Sequence, residues 1–390
     1  MSFFLLIFLF LYGGMHFYAY RKIAAAVVPA PWVSVCLILF MAAMVLAPVI
    51  VRLMERSGFE APAMVLAYAG YVWMGLLFLF FCTSAAIDLY RLLLHLAGLL
   101  SGRDFSSLAL SGRSHFLAAV SCSVIVSIYG YFEALNIRTE RIVVESERIP
   151  AGMGRITVAQ ISDVHLGLIV GQERLSRILR EIKRADPDIL VSTGDLVDSQ
   201  IDGLAPMADD FREIKPRYGM FAVTGNHEYY AGIEQALDFT RKAGFIVLSG
   251  DARDVAGIRI AGVDDPVALS MGAGRPGEAA RTLGNNDSGK FTMLLKHRPS
   301  IGKDSPGRFD LQLSGHVHQG QIFPFSLVTR LFYPVASGLT HLAGGGSLYL
   351  SRGTGTWGPP IRFLAPPEIT VIELVHAGTP GTGQQAVNGR

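Results

Sequence analysis

Two kinds of hydrophobic pattern divide the chain. Up to about residue 134, apolar residues run almost unbroken, and four stretches stand out: Phe3–Tyr20, Trp32–Leu53, Ala63–Ile87 and Phe116–Leu135. Each approaches the roughly 20 helical residues needed to cross about 30 Å of hydrocarbon, which predicts four transmembrane helices. Tyr18, Tyr20, Arg21, Lys22, Trp32, Arg52 and Arg56 sit at their ends, where aromatic and basic side chains meet headgroups. The first run lacks a basic leader and a small-residue cleavage site, so it reads as an uncleaved helix. Asp88, Arg91 and His95 share one helical face among leucines and read as an interfacial turn. No mid-bilayer charge pair is visible in the spans, which argues against a transport pathway.

From about Arg155 the pattern changes to short β-rich runs alternating with amphipathic helices. Strands are predicted at Arg155–Ser162, Ile189–Ser192, Gly219–Thr224, Phe245–Leu248, Gly257–Gly262, Phe291–Leu295 and Asp310–Ser314. Helices are predicted at Gln172–Ala185, Pro206–Lys215 and Ile233–Ala243, with a helix and surface loop within Gly272–Lys290. The later strands lack long intervening helices, so the pattern predicts a mixed β-sandwich flanked by helices rather than a purely parallel sheet. The division expected is a helical membrane block at 1–135, a linker at 136–154, an α/β domain at 155–376 and a disordered tail at 377–390.

Charge follows the same division. Residues 1–134 hold seven Lys or Arg against five Asp or Glu, leaving 27 of each sign for the remainder. A nucleic-acid partner would require a basic surplus there, and none exists. All three cysteines (Cys36, Cys82, Cys122) lie in the apolar half, excluding a disulfide framework, a cysteine zinc site and a thiol nucleophile from the α/β domain. Four spans put both ends of the block on one side. An uncharged amino terminus followed by Arg21 and Lys22 places that side, and with it the α/β domain, on the outer face of this multi-pass membrane protein.

Five short motifs fall where strands should end: Asp163-Val164-His165, Gly194-Asp195-Leu196-Val197-Asp198, Gly225-Asn226-His227-Glu228, His297, and Gly315-His316-Val317-His318. Of seven histidines in the α/β half, five belong to these motifs; His341 and His376 fall outside and read as solvated. In extended backbone, residues i and i+2 point to one side, so Asp163 with His165, and His316 with His318, could each aim two groups at one point. Carboxylates, imidazoles and an amide oxygen suit Mn, Fe, Zn or Co, because Mg and Ca prefer oxygen-only shells. A carboxylate such as Asp195 can bridge two such ions, an arrangement suited to displacement at phosphorus. Asp198 reads as a capping or supporting group, and Arg298 as either a phosphate contact or a surface arginine.

These motifs, in this order from Arg155 to about Gln321, resemble the signature of the calcineurin-like metallophosphoesterases. The resemblance implies two divalent metal ions: Asp163, His165 and His318 on the first, Asp195 bridging, and Asn226, His297 and His316 on the second. It implies that His227 stabilises the transition state and protonates the leaving oxygen, that Glu228 orients His227, and that a metal-bridging hydroxide is the nucleophile. Gly315–Gln321 and Ser351–Phe363 resemble the membrane-associated branch, which includes phosphodiesterases and UDP-2,3-diacylglucosamine pyrophosphatases. That branch carries Gly where Gln319 stands, a departure that touches substrate contacts more than metals. The Gly353–Pro360 loop reads as a pocket rim or a tight turn.

The activity expected is hydrolysis of a phosphodiester or pyrophosphate, with a small-molecule or lipid-linked substrate held near the bilayer. The alternative is a membrane sensor or scaffold whose domain binds ligand without turnover. Loss of a ligand would mark that alternative, and all seven are present. A transporter with an appended domain is weaker still, since the spans show neither charge pairs nor repeat symmetry.

Overall fold

The computed structural model describes residues 2–198, 203–274, 278–284, 289–302 and 307–378. The tail expected to be disordered lies almost wholly outside them. The chain forms two compact units. One comprises the first 133 residues with the short segment Gly358–Phe363; the other runs from Ala134 to Trp357 and resumes at Leu364.

The first unit is helical: α1 (Ser2–Val27), α2 (Pro31–Arg56), α3 (Glu60–Ser101) and α4 (Gly112–Leu135). Pro31 opens α2, where its fixed φ suits a first turn and its missing N–H costs nothing. Gly102 closes α3 at φ 67°, in the left-handed region that suits glycine. Three segments among the described residues are long and apolar enough to cross a membrane: Pro31–Arg56, Glu60–Ser101 and Ser106–Leu135. The fourth span expected from sequence coincides with α1, which is helical but is not among these three. Small residues let the helices approach closely, as where Gly70 faces Ala47. Tyr12, Ala19, Met41, Leu77, Phe80 and Ala119 form the shared core, whereas Phe10, Trp32, Val65 and Leu100 point outward. Asp88, on the face expected as an interfacial turn, finds partners across the helices. It accepts hydrogen bonds from Lys22 Nζ and Tyr18 Oη, each at 2.6 Å. An ion pair therefore joins α1 to α3, just beyond the ends of the spans read from sequence.

The second unit is a sandwich of two six-stranded sheets. Its elements are β1 (Arg138–Ser146), β2 (Arg155–Ile161), α5 (Gln172–Ala185), β3 (Ile189–Ser192), α6 (Ala205–Arg212), β4 (Met220–Ala222), α7 (Asn226–Ala231), α8 (Ile233–Lys242) and β5 (Ile246–Val247). They continue with β6 (Asp251–Val255), β7 (Ile258–Gly262), α9 (Val267–Ser270), α10 (Glu278–Leu283), β8 (Thr292–Leu295), β9 (Leu311–Ser314), α11 (Phe325–Phe332), β10 (Gly338–His341), β11 (Ser347–Leu350) and β12 (Glu368–His376). One sheet runs β1-β12-β2-β3-β4-β5 and the other β10-β11-β9-β8-β7-β6. Both are mixed: β2 to β5 are mutually parallel, as are β7, β8, β9 and β11, with antiparallel pairs at β12–β2, β6–β7 and β10–β11.

Period-two alternation builds the core. Ile156 and Val158, Ile189 and Val191, and Ile372 and Leu374 come from the first sheet, and Ile260, Met293, Leu295, Leu311 and Leu313 from the second. On α5, Leu175, Ile178, Leu179 and Ile182 recur at helical spacing and are buried, while Glu173 opens the helix and Lys183 and Arg184 close it, complementing the dipole.

The stretch expected as a linker is corrected here. Residues 138–146 form β1, paired in parallel with β12 from Arg138↔Glu368 to Ser146↔His376. Arg352 ties this edge together, reaching Glu140 and, at 2.6 Å, Glu368. Only Asn136 and Ile137 separate α4 from β1.

Candidate metal centre

The parallel strands all deliver their carboxyl ends to one place, where side chains of α/β sheets usually meet ligands. Asp163 and His165 follow β2, Asp195 follows β3, Asn226 and His227 follow β4, His297 follows β8, and His316 and His318 follow β9. The sandwich thus brings six of the seven expected ligands together from both sheets, Asp163, His165, Asp195, His297, His316 and His318, while Asn226 follows β4 beside them in sequence and stands in none of the groups they form. Their donor atoms form overlapping groups, each within 4.8 Å: Asp163, His165 and His318; His165, Asp195 and His227; Asp195, His297 and His316. Asp195 belongs to two of them, the position a bridging carboxylate would need.

The backbone route differs from the extended one expected. Asp163, His165, Asp195, His316 and His318 all have φ between 48° and 75°. Left-handed turns, which cost non-glycine residues of order 1–3 kcal/mol each, therefore aim these side chains. As a result His316 and His318 diverge into different groups instead of meeting at one point. Glycine permits the crowding, since a Cβ at Gly225 would overlap the Asp195 carboxylate and one at Gly315 would overlap Ser162 and Asp163.

Hydrogen bonds fix the ligands. Asp163 accepts from Ser162 Oγ at 2.5 Å and from the His316 amide at 2.9 and 3.0 Å. Asp195 accepts from the His227 amide at 2.8 Å. His297 Nδ1–H donates to the Thr193 carbonyl at 2.9 Å, which fixes the ring and turns Nε2 toward the centre. That Nε2 lies 3.2 Å from both Asp195 Oδ2 and His316 Nδ1, and His165 Nε2 lies 3.1 Å from His318 Nε2.

Burial depresses His297, but Asp195 and its other acidic neighbours outweigh it and raise the imidazole to about 10. Burial likewise opposes the charge of Asp195, yet His297 and His227 hold its carboxyl well below the usual range. A field that traps protons on buried imidazoles is a field for cations. Two further observations fit divalent metals: Asn226 Oδ1 and His165 Nδ1 are buried without a hydrogen-bond partner, and facing imidazole nitrogens can share only one proton. A cation would relieve both.

Around His227 the expected partners change places. Glu228, expected to orient His227, accepts instead from the backbone N–H groups of Gly225 (2.7 Å), Asp195 (3.1 Å), Leu196 (2.7 Å) and Val197 (3.4 Å). It caps α7 as the third residue after Gly225 and clamps the Asp195 loop. Asp198 is the group facing His227, with Oδ1 3.0 Å and the main-chain oxygen 2.9 Å from Nδ1. Burial lowers the His227 imidazole, but Asp195 and Asp198 outweigh it and raise it to about 9.

Sequence reading also missed an aromatic border. Tyr230 and Trp357 pack edge-on to His227, with centroids at 5.4 and 5.8 Å, and Tyr333 to His316 at 5.4 Å. Gln321 grips the Trp357 backbone through both amide atoms, at 2.9 and 3.0 Å, while Gln319 reaches the Leu364 carbonyl at 3.4 Å. Arg298 forms a two-pronged pair with buried Asp265 at 2.7 and 3.1 Å, with Tyr333 Oη 3.5 Å away, so it is no free surface arginine. Of the remaining histidines, His341 is exposed and 2.9 Å from Ser347 Oγ. His376 is half-buried, contrary to expectation, with Nδ1 2.7 Å from the Ile149 carbonyl.

The sequence profile of the calcineurin-like phosphoesterases matches residues 156–320, the span that carries all of these loops. A metallophosphoesterase of Aquifex aeolicus is 39% identical over 258 residues, covering 66% of this chain and 98% of that protein. The chain belongs to the calcineurin-like metallophosphoesterases. Another metallophosphoesterase, from Helicobacter pylori, is 35% identical over 222 residues, and the chain spans 60% of its length. A zebrafish (Danio rerio) protein named transmembrane protein with metallophosphoesterase domain is 30% identical over 272 residues, and the chain spans 62% of it. Membership makes this a metallophosphoesterase with His and Asp clusters that could hold metal ions, in a chain that also carries helices long and apolar enough to cross a membrane.

Proposed function

We propose that the protein is a membrane-anchored, two-metal hydrolase of phosphodiester or pyrophosphate bonds. The observation that supports this reading is the chain of three overlapping donor groups, in which His165 links Asp163 and His318 to Asp195, and Asp195 links on to His297 and His316. Asp163, His165 and His318 would hold one ion, Asn226, His297 and His316 the other, and Asp195 would serve both. Two bound divalent cations would supply Lewis acidity toward the phosphoryl oxygens and a more acidic nucleophilic water. His227 supplies the proton for the leaving oxygen. Its Nδ1 is engaged by Asp198, leaving Nε2–H as the donor, and the neighbouring carboxylates keep that proton in place. Glu228 holds the Asp195 loop in register through four backbone N–H groups. Tyr230, Trp357 and Tyr333 border the centre and receive the apolar part of the substrate.

The helical block, with α1 as a fourth span, anchors the domain and raises the local concentration of amphipathic substrates. The domain itself begins at β1 rather than at Arg155. The test uses the full-length protein, chelated and then supplied with manganese, with bis(p-nitrophenyl) phosphate as substrate. Manganese is expected to restore turnover, and His227→Ala to cut it by about 10²–10⁴-fold while two ions per chain remain bound. A protein that takes up no metal and turns over nothing would instead be the sensor or scaffold.

A further inference from the structure

The second unit carries an apolar surface that its own fold does not use. α11 is built from Phe-Ser-Leu-Val-Thr-Arg-Leu-Phe, and none of its residues is buried. Phe323, Phe325, Leu327, Val328, Leu331 and Phe332 are between 40% and 81% exposed. Arg330 is the one charged residue from Phe323 to Tyr333. Singly exposed apolar side chains are ordinary, but six within ten residues form a patch that calls for a partner. The helix contributes nothing to the sandwich core, so packing does not explain its composition.

Its place in the chain links it to the metal centre. It follows directly on the loop carrying His316 and His318, and the residue after it, Tyr333, packs edge-on to His316 with ring centroids 5.4 Å apart. Among the described residues three helices are long and apolar enough to cross a membrane, and two residues separate α4 from β1, so the chain tethers this unit to any bilayer those helices enter. Aliphatic and phenyl groups with a single basic residue match the acyl–headgroup boundary, where an amphipathic helix lies in the plane of the surface.

We propose that α11 inserts into the outer few ångströms of the lipid monolayer and that the substrate is a phosphodiester or pyrophosphate of a membrane lipid, drawn to the metal centre along this helix. The proposal rests on the phosphoesterase reading above and names its substrate class.

The test has two arms, both on the full chain in phosphatidylcholine bilayers. In the first, Cys36, Cys82 and Cys122 are replaced by Ser and a nitroxide is placed through Leu331→Cys. The label is expected to relax strongly with dissolved oxygen and weakly with a water-soluble nickel chelate. Strong relaxation by the nickel chelate would show α11 in water and overturn the proposal. A label shielded from both would mean a protein cover, such as a second copy of the chain, and would overturn it equally.

In the second arm, Leu331→Glu/Phe332→Glu is compared with the unaltered chain on two chromogenic diesters, bis(p-nitrophenyl) phosphate and a p-nitrophenyl phosphatidyl diester in vesicles. The variant is expected to lose about tenfold or more in kcat/KM on the lipid diester, since two apolar side chains proposed to enter the lipid become charged. Turnover of the soluble diester should be unchanged. Equal rates on the lipid diester would overturn the proposal and leave the hydrolase standing, whereas failure of the unaltered chain on both diesters would remove the hydrolase itself.

Discussion

His227 follows β4 and His316 follows β9, and both rings border the same centre, yet their surroundings push them in opposite directions. Burial acts against the charged form of each. Around His227, Asp195 and Asp198 overcome it and the imidazole rises to about 9. Around His316, His297 and Arg298 add to it and the imidazole falls to about 2. A histidine that keeps its proton can serve as an acid; one that never takes a proton is free to offer a lone pair to a metal. The difference lies in which neighbours each ring was given, two carboxylates or two cationic groups, and not in depth within the fold.

The comparison is broken most completely at Asp195, which both halves share. Asp195→Asn removes the charge proposed to serve both ions, so kcat/KM on bis(p-nitrophenyl) phosphate should fall by about 10³-fold or more, with loss of bound metal by elemental analysis. Unchanged metal content and rate would separate the two halves and refute the bridge.

Asp198→Asn sharpens the contrast from one side only. It leaves the donor groups intact but removes one of the two carboxylates that hold the His227 proton, and a loss of about 10–100-fold is expected. The sign of the pH effect follows. The acid form of His227 is lost as pH rises, and bound cations would bring that loss below about 9. Removing Asp198 lowers the pKa further, so the alkaline limb of the kcat profile should move to lower pH. A stationary limb would show that another group holds the proton.

The smallest effect is on stability. His227 and His297 are raised from 6.5 to about 9 and about 10 in the metal-free site. Their contribution is therefore fully present below pH 6.5 and is lost as pH rises through 9 to 10. Chelated protein should show a Tm that declines over that window. Metal-loaded protein should show the reverse trend, losing stability as pH falls, because protons compete with the ions for the same nitrogens. Parallel curves with and without metal would mean that the ions do not bind where these protons do.

The sequence reading located the ligand loops because each lies at the carboxyl end of a strand whose apolar run is legible. It also anticipated the mixed sandwich. Three features escaped it for physical reasons. β1 was read as a linker because its partner, β12, lies some two hundred residues away and no local pattern announces such a pairing. The left-handed turns at Asp163, His165, Asp195, His316 and His318 run against the usual preference of those residue types, so an extended geometry was assumed. Glu228 and Asp198 exchanged roles because distance along the chain does not rank neighbours in space. A signal for Glu228 did exist, in a Glu three residues after Gly225 at the start of a helix, which is the spacing of a capping box.

The hexapeptide Gly358–Phe363 has a practical consequence for anyone cutting this protein into parts. It lies between β11 and β12 in sequence but clusters with the helices, where Gly130 and Gly75 crowd against Ile361 and Tyr129 meets the Phe363 ring. Arg362 within it is wholly buried. A gene fragment beginning after α4 would carry these six residues without the surroundings that sheltered them, releasing Ile361 and Phe363 into water as a sticky loop directly after Trp357. The separable piece of this molecule is discontinuous, and a soluble version would need that loop replaced by a short polar bridge before it could be expected to stay monodisperse.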